Sequence, residues 1–207
     1  MGFVIYLDHN ATTPILPEVL DAMMPYLATE LGSRRAERRS AWATVAGPYR
    51  ADPARATESN NAAIAAALKA SPGKRHIVAS QVEHSSVLNY CMALEREGYR
   101  VTYLPVDRDG LLNLADLEAA ITEQTAVVSL MWANNETGVL FPVGRIAEIC
   151  RSRGVLYHCD AVQAAGKVPI DVRKVPADYL SLTGHKFYAP KGIVVLFGSR
   201  VVVYCSN

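Results

Sequence analysis

Hydrophobic positions along the chain follow two patterns that alternate. Short, nearly continuous apolar runs predict buried strands, and apolar residues spaced by three and four predict amphipathic helices between them. The predicted strands are 76–79, 100–106, 125–133, 155–161, 179–182 and 193–197, and the predicted helices are 17–27, 62–68, 85–97, 114–121 and 143–153. Strands of this kind separated by helices predict an α/β fold with a mainly parallel sheet covered by helices on both faces.

Two stretches do not follow these patterns. Residues 32–55 are rich in Arg and Ala and show no sustained period of either kind. The last stretch, 198–207, contains a strand-like run, VVVYC, that ends abruptly. Neither stretch fits the pattern of a finished domain.

Composition narrows the classes of partner. Half of the 207 residues are hydrophobic, and 21 Lys and Arg balance 20 Asp and Glu, so the charge predicts neither a nucleic-acid partner nor an anionic membrane. No signal peptide precedes Asp8, and no apolar run approaches the roughly 18 residues that cross a bilayer; we expect a cytoplasmic protein. The four cysteines are widely spaced and indicate neither a disulfide framework nor a zinc site.

Candidate chemistry collects where predicted strands end. In parallel α/β sheets, ligands bind at the carboxyl ends of the strands. His84 and the segments 134–136, 160–163 and 183–186 follow four of the predicted strands. Their polar residues are unusually dense for ordinary connections, so we expect a binding site there.

Lys186 and Asp160 are the strongest candidates. A lysine at a strand end in an apolar pocket can form a Schiff base, because burial and nearby cations lower its pKa; the alternative is a solvated loop lysine. A carboxylate at the end of a buried strand needs a cationic partner, and a protonated pyridine nitrogen would serve. The alternative for Asp160 is a side chain that caps the next turn.

Three further residues are candidates for binding, and two of them, His84 and Asn135, also have a structural interpretation. Gln163 could donate a hydrogen bond to a ring oxygen. His84 could stack on a flat ring or move protons, or it could only cap the helix that follows. Asn135 could bind a substrate or cofactor, or shape a turn.

Other kinds of site are not supported by the sequence. His158 and Cys159 precede Asp160 directly, but adjacent strand residues point to opposite faces, so they cannot share a metal ion. Neither glycine-rich nucleotide signature occurs, and a G-x-S-x-G hydrolase elbow is also missing from the sequence. We expect no metal site.

The motifs taken together resemble those of the pyridoxal-phosphate-dependent cysteine desulfurases, which belong to the class V aminotransferase group with the type I fold. The matching blocks are YLDHNATT at 6–13, ATESNN at 56–61, EH at 83–84, MWANNETG at 131–138, DAVQA at 160–164, GKVPID at 166–171, GHK at 184–186 and APKG at 189–192. The fourth and the last two blocks look most like the nitrogen-fixation branch of that family.

This resemblance implies pyridoxal 5'-phosphate as the cofactor and gives each block a role. Lys186 would form the Schiff base and move the substrate proton, Asp160 would pair with the pyridinium nitrogen, and Gln163 would bind the phenolic oxygen. His84 would stack on the ring and Asn135 would lie near ring and substrate. The phosphate would be held at a helix start, by Ala56, Thr57, Thr183 and His185.

The activity that the resemblance implies is removal of sulfur from L-cysteine, which leaves L-alanine and an enzyme-bound persulfide. It also implies a homodimer and an iron–sulfur scaffold protein, including nitrogenase metallocluster assembly, as the acceptor of the sulfur. Selenocysteine lyase or another class V enzyme is an alternative, and an inactive cofactor-binding fragment is a second one.

Two parts of the family pattern are not found. The family's catalytic cysteine lies well past the cofactor lysine, whereas this chain stops 21 residues after Lys186; Cys91, Cys150, Cys159 and Cys205 do not occupy that place. We expect an N-terminal segment at 1–14 that would pack with a small domain, a cofactor-binding large domain at 15–197, and a tail at 198–207. The C-terminal small domain is expected to be missing, and the chain as given to have little activity.

Overall fold

The computed structural model describes residues 12–28, 42–44, 55–190 and 194–199. Within these ranges the chain forms five α-helices: α1 (Pro17–Ala28), α2 (Arg55–Ala70), α3 (Ser85–Arg96), α4 (Leu114–Ala120) and α5 (Val143–Ser152). The strands there are β1 (Trp42–Thr44), β2 (His76–Ser80), β3 (Arg100–Leu104), β4 (Thr125–Met131), β5 (Leu156–Asp160), β6 (Tyr179–Thr183) and β7 (Val194–Gly198). A single 3-10 turn, Gly184–Lys186, follows β6.

Two elements differ from the sequence-based prediction. Helix α2 begins at Arg55, seven residues before the predicted start at Ala62, because the polar residues of its first two turns hide the apolar period that is visible later. Strand β1 lies inside the aperiodic stretch 32–55 and is too short, at three residues, to show an alternating pattern. The remaining helices and strands lie within a few residues of their predicted bounds.

The strands form one sheet in the order β1-β7-β6-β5-β4-β2-β3. The five strands from β3 to β6 in this order pair in parallel. Strand β7 runs antiparallel to β6, and β1 runs antiparallel to β7. The prediction of a mainly parallel sheet is therefore confirmed, with an antiparallel edge that the sequence pattern did not indicate.

Helices cover both faces of the sheet. Ile77 and Ala79 of β2 pack in one buried cluster with residues of α2 and α3, including Val87. Val78, between them in sequence, packs in the other cluster with residues of α4 and α5, including Ile146. Successive side chains of a strand point to opposite faces, so α2 and α3 cover one face and α4 and α5 the other.

A row of polar side chains crosses the sheet beneath the end of β5. His158 is fully buried, and its two ring nitrogens lie 2.9 Å from the hydroxyl of Ser129 on β4 and 3.0 Å from that of Ser181 on β6. Burial lowers the pKa of His158 to about 3, so its ring is neutral. Its neighbour Cys159 packs in the cluster on the opposite face, as strand geometry requires.

Within the described ranges, no helix has both the length and the apolar character needed to cross a bilayer.

Candidate active site

Most of the predicted site residues meet at the carboxyl ends of β4, β5 and β6. Seven of the nine line a single cavity: Thr57, His84, Asn135, Asp160, Gln163, His185 and Lys186. They come from five separate segments of the chain, so the sheet topology brings them together. The structure therefore brings these polar residues together at the carboxyl ends of the parallel strands, as the sequence pattern predicted.

Lys186 ends the 3-10 turn that follows β6, and its side chain lines the cavity. The N-terminal part of the described chain supports this turn. The N–H of Thr13 donates to the carbonyl oxygen of His185 at 2.7 Å, and the Thr13 hydroxyl accepts the N–H of Tyr188. Tyr188 has a φ of 65°, a left-handed conformation that non-glycine residues adopt only when surrounding contacts hold them there.

Asp160 is buried at the end of β5, 5% exposed. Its Oδ1 accepts the N–H of Val162 at 3.0 Å, so it does cap the turn that follows. Its Oδ2 accepts a 2.7 Å hydrogen bond from the Asn60 amide. Burial raises the pKa of Asp160, while these two hydrogen bonds and the electrostatic interactions with His84 and Lys186 act in the opposite direction. A buried carboxylate placed beside a lysine suits a cationic ring nitrogen.

His84 precedes α3 as its N-cap residue, and its ring also lines the cavity. The Ser86 N–H donates to its Nδ1 at 3.2 Å, and the Ser86 hydroxyl lies 2.8 Å from the same atom. Since Nδ1 accepts, the neutral ring carries its proton on Nε2. His84 therefore caps the helix, as one interpretation expected, and its ring also lines the cavity, where a role in stacking or proton transfer stays a prediction.

The residues expected to hold a phosphate lie at two places beside the cavity. Thr57 is in the first turn of α2, a 16-residue helix whose free N–H groups favour an anion. His185 lines the cavity, and its Nδ1 lies 3.0 Å from the hydroxyl of Thr183. Thr183 itself is not among the residues that line the cavity. Ala56 lies in the first turn of α2, and its side chain is outside the described residues.

The two asparagines in the turn after β4 have different roles. Asn134 shapes the turn: its Oδ1 accepts the N–H groups of Glu136 and Thr137, each at 2.9 Å. Asn135, next along, lines the cavity. Gln163 also lines the cavity, and its Oε1 accepts a 2.7 Å hydrogen bond from Lys167, which directs its amide nitrogen away from that lysine.

Glu83 is a buried acid that the sequence analysis did not include among the site residues. Its Oε1 accepts hydrogen bonds from the Ser80 hydroxyl at 2.6 Å and from the Met131 N–H at 3.1 Å. Met131 is the register partner of Asp160, so Glu83 lies beside the site. Burial raises the pKa of Glu83 to about 8, and the charge of Asp160 adds to the effect. Glu83 is therefore protonated at neutral pH.

Sequence reasoning also missed Asn60 and Ser86, which line the cavity. Asn60 follows Thr57 by three residues on α2, and residues at this spacing share a helix face. Had the helix been predicted to begin at residue 55, that spacing would have placed Asn60 at the site.

The three cysteines that the structure describes do not resemble reactive thiols. Cys91, Cys150 and Cys159 are buried and unpaired with one another. Burial raises the pKa of Cys91 and of Cys150 to about 12, and raises that of Cys159 further. Since the thiolate is the nucleophile, none of the three is placed to attack a substrate. Cys205 lies outside the described residues.

Comparison with known proteins identifies the family. The sequence profile of the family "Aminotransferase class-V" matches residues 54–203, and the chain belongs to that family. Pyridoxal phosphate is the cofactor of these enzymes, and the cavity's buried carboxylate, lysine and helix start fit its ring nitrogen, aldehyde and phosphate.

Within the family, several similar curated proteins are named cysteine desulfurases. The chain is 46% identical to cysteine desulfurase 2 of Trichormus variabilis over 96% of its own length and 54% of that protein. It is 45% identical to the mitochondrial cysteine desulfurase of Drosophila melanogaster over 96% of the chain and 47% of that protein. The chain thus spans about half the length of the curated relatives it matches.

Solved structures agree in fold. A structure described as SspA in complex with cysteine superposes with a TM-score of 0.78 at 32% identity, covering 93% of this chain and 60% of that one. A NifS-like protein superposes with a TM-score of 0.80 at 29% identity, covering 97% and 60%. The large-domain fold expected from the sequence motifs is confirmed.

Proposed function

We propose that this chain is the cofactor-binding part of a pyridoxal-phosphate-dependent cysteine desulfurase, which converts L-cysteine to L-alanine and an enzyme-bound persulfide. The observation that carries the proposal is the buried Asp160 carboxylate beside Lys186 in one cavity, with the His84 ring on its wall. The relatives' names support the reaction, and the solved neighbour with bound cysteine supports the substrate class.

Each proposed role follows from a position in the cavity. Pyridoxal phosphate, when bound, supplies an electron-withdrawing ring next to the substrate's α-carbon. Asp160, fixed by two hydrogen bonds, holds a proton on the ring nitrogen. His84 would present a flat ring to the cofactor, and Lys186 would supply the amine that binds the cofactor aldehyde and moves the α-proton. Thr57 and His185 bind the phosphate, with Thr183 supporting His185.

The persulfide requires a thiolate that attacks the substrate sulfur while alanine leaves. The three described cysteines are buried, and burial raises their pKa values, while Cys205 does not occupy the place of the family's catalytic cysteine. We therefore expect little sulfide release from the 207-residue chain.

Finer parts of the proposal rest on the family resemblance. We propose a homodimer, an iron–sulfur scaffold protein as acceptor and, from the motif wording, a nitrogen-fixation role, which a NifS-like structural neighbour supports at 29% identity. The domain limits at 14 and 197 stay predictions. A cytoplasmic location also stays a prediction, since one relative is named a mitochondrial enzyme.

The test is to identify the lysine that binds the cofactor. The chain is incubated with pyridoxal phosphate, reduced with borohydride, digested and mapped by mass spectrometry. We expect the label on Lys186, together with a visible absorption band that Lys186→Ala removes.

The matched control is Lys69→Ala, at the exposed C-terminal end of α2. It should keep both the band and the label. A label on another lysine, or none in a chain shown by circular dichroism to be folded, would contradict the proposed function.

A further inference from the structure

Asn60 lies between two groups of the site. Its Nδ2 donates to the Asp160 Oδ2 at 2.7 Å and to the Ser86 Oγ at 2.9 Å. The Ser86 hydroxyl in turn lies 2.8 Å from the His84 Nδ1. A single amide on α2 therefore connects the carboxylate at the end of β5 with the imidazole that precedes α3.

The Asn60 amide directs its nitrogen to both Ser86 and Asp160. The charged form of a carboxylate can only accept hydrogen bonds, so this orientation favours that form of Asp160. This leaves the Asn60 Oδ1 buried without a hydrogen-bond partner among the described residues. An unpaired buried acceptor is destabilising, so the fold tolerates an unfavourable group in order to direct both N–H groups of Asn60 toward the site.

We propose that Asn60 is a positioning residue that sets the direction and basicity of the Asp160 carboxylate and is itself held in place by Ser86. With Val162 on one oxygen and Asn60 on the other, each oxygen of Asp160 has one fixed donor. The carboxylate cannot rotate without losing both hydrogen bonds, and both bonds favour its charged form, in opposition to the effect of burial.

If Asn60 positions the carboxylate, its loss shifts the pKa of Asp160 in one direction, and if Asn60 only fills space, its loss shifts that pKa in the other direction. Loss of the Asn60 donor raises the pKa of Asp160. Loosened packing instead admits water, which reduces the desolvation of the carboxylate and lowers its pKa. The direction of the shift therefore separates positioning from packing.

The primary measurement needs no cofactor. The carboxyl carbon of Asp160 is followed by ¹³C NMR through a pH titration of the chain, with Asp160→Asn to assign the signal. Asn60→Leu, which fills a similar volume without a donor, should raise the pKa of Asp160 by about one unit or more, the size expected for a charged hydrogen bond. Asn89→Leu, the same change at an exposed position of α3, should leave it unchanged.

Ser86→Ala is the second variant, in case Asn60→Leu does not fold. It removes only the support of the amide, so we expect a smaller shift in the same direction. An unchanged or lowered pKa of Asp160 in a folded Asn60→Leu or Ser86→Ala chain would overturn the proposal.

A second measurement rests on the proposed function. In the cofactor-loaded chain, a less firmly ionised Asp160 leaves the ring nitrogen less protonated, and the Lys186 adduct then holds its own proton more tightly. The pH at which the visible band titrates should therefore rise in Asn60→Leu and stay fixed in Asn89→Leu. An unshifted titration in a loaded Asn60→Leu chain contradicts the positioning role, whereas a chain that forms no adduct contradicts the proposed function and leaves the NMR result to decide the role of Asn60.

Discussion

Glu83 makes the stability of this chain depend on pH in an unusual direction. Its side chain is 5% exposed, one oxygen accepts two hydrogen bonds, and the other has no hydrogen-bond partner among the described residues. Burial raises the pKa of Glu83 from 4.5 to about 8. Between these two values the folded chain keeps a proton that the unfolded chain releases, so folding becomes less favourable as the pH rises.

The size of the effect follows from the shift. Each pH unit between 4.5 and 8 removes about 1.4 kcal/mol from the free energy of unfolding, or about 5 kcal/mol over the whole interval. Above pH 8 both states are ionised at Glu83 and the dependence ends; below pH 4.5 both are protonated. Substitution by glutamine keeps the accepting oxygen, supplies N–H donors in place of the acid proton, and removes the titration.

The assay is urea unfolding of Glu83→Gln and the parent chain without cofactor, at intervals from pH 5 to pH 8. The stability of the variant relative to the parent should increase steadily with pH. Buried His76 and His158 titrate in both chains and cancel in the difference. Glu123→Gln, at an exposed position, measures the effect of losing a surface carboxylate. A difference for Glu83→Gln that stays constant from pH 5 to pH 8 would refute the reasoning.

Two further substitutions test the contacts that support the 3-10 turn at Gly184–Lys186. Gly166→Ala should destabilise the chain by about 2–4 kcal/mol, because a Cβ there would lie 2.7 Å from that of Phe187 and φ is +74°. Gly73→Ala has a similar φ and no neighbour within 4 Å, so urea unfolding should give a loss of only about 1–2 kcal/mol; equal losses would contradict the role of the contact. Thr13→Val removes the acceptor for the Tyr188 N–H and should cost about 1–3 kcal/mol. Unchanged unfolding and an unchanged lysine adduct would show that Thr13 does not support the turn.

The positions of strands β2 to β7 were predictable because buried strands of a mainly parallel sheet are continuous apolar runs. The run around Val127 and the one around Leu180 show this pattern directly, and the fold rule for parallel sheets then locates the site at their carboxyl ends. Strand β1 was not predictable, since three residues carry no period. The antiparallel edge depends on pairing between β1 and β7, which are far apart in sequence.

The residues of the site also divide into those that the sequence predicted and those that it did not. Lys186 and Asp160 were identified because a charged residue at a strand end is conspicuous and matches a family motif. Asn60, Ser86 and Glu83 were not, because a polar residue in a helix or a helix-preceding loop usually faces solvent. Their roles depend on contacts across 26 to 100 residues of sequence, which local patterns do not encode.

Several energetically unfavourable features of the described residues lie close to the Asp160 carboxylate. Among the described residues, the two buried side-chain atoms without a hydrogen-bond partner belong to Asn60 and Glu83; one binds Asp160 and the other contacts its register partner. The left-handed Tyr188 lies two residues after Lys186. A ligand that brings a positive charge to Asp160 would offset part of this cost, and binding to the folded state alone raises stability. The arrangement that lowers the stability of the chain at higher pH would therefore be offset in part by a cationic ring at Asp160, and this supports the proposed assignment of the cavity to the cofactor.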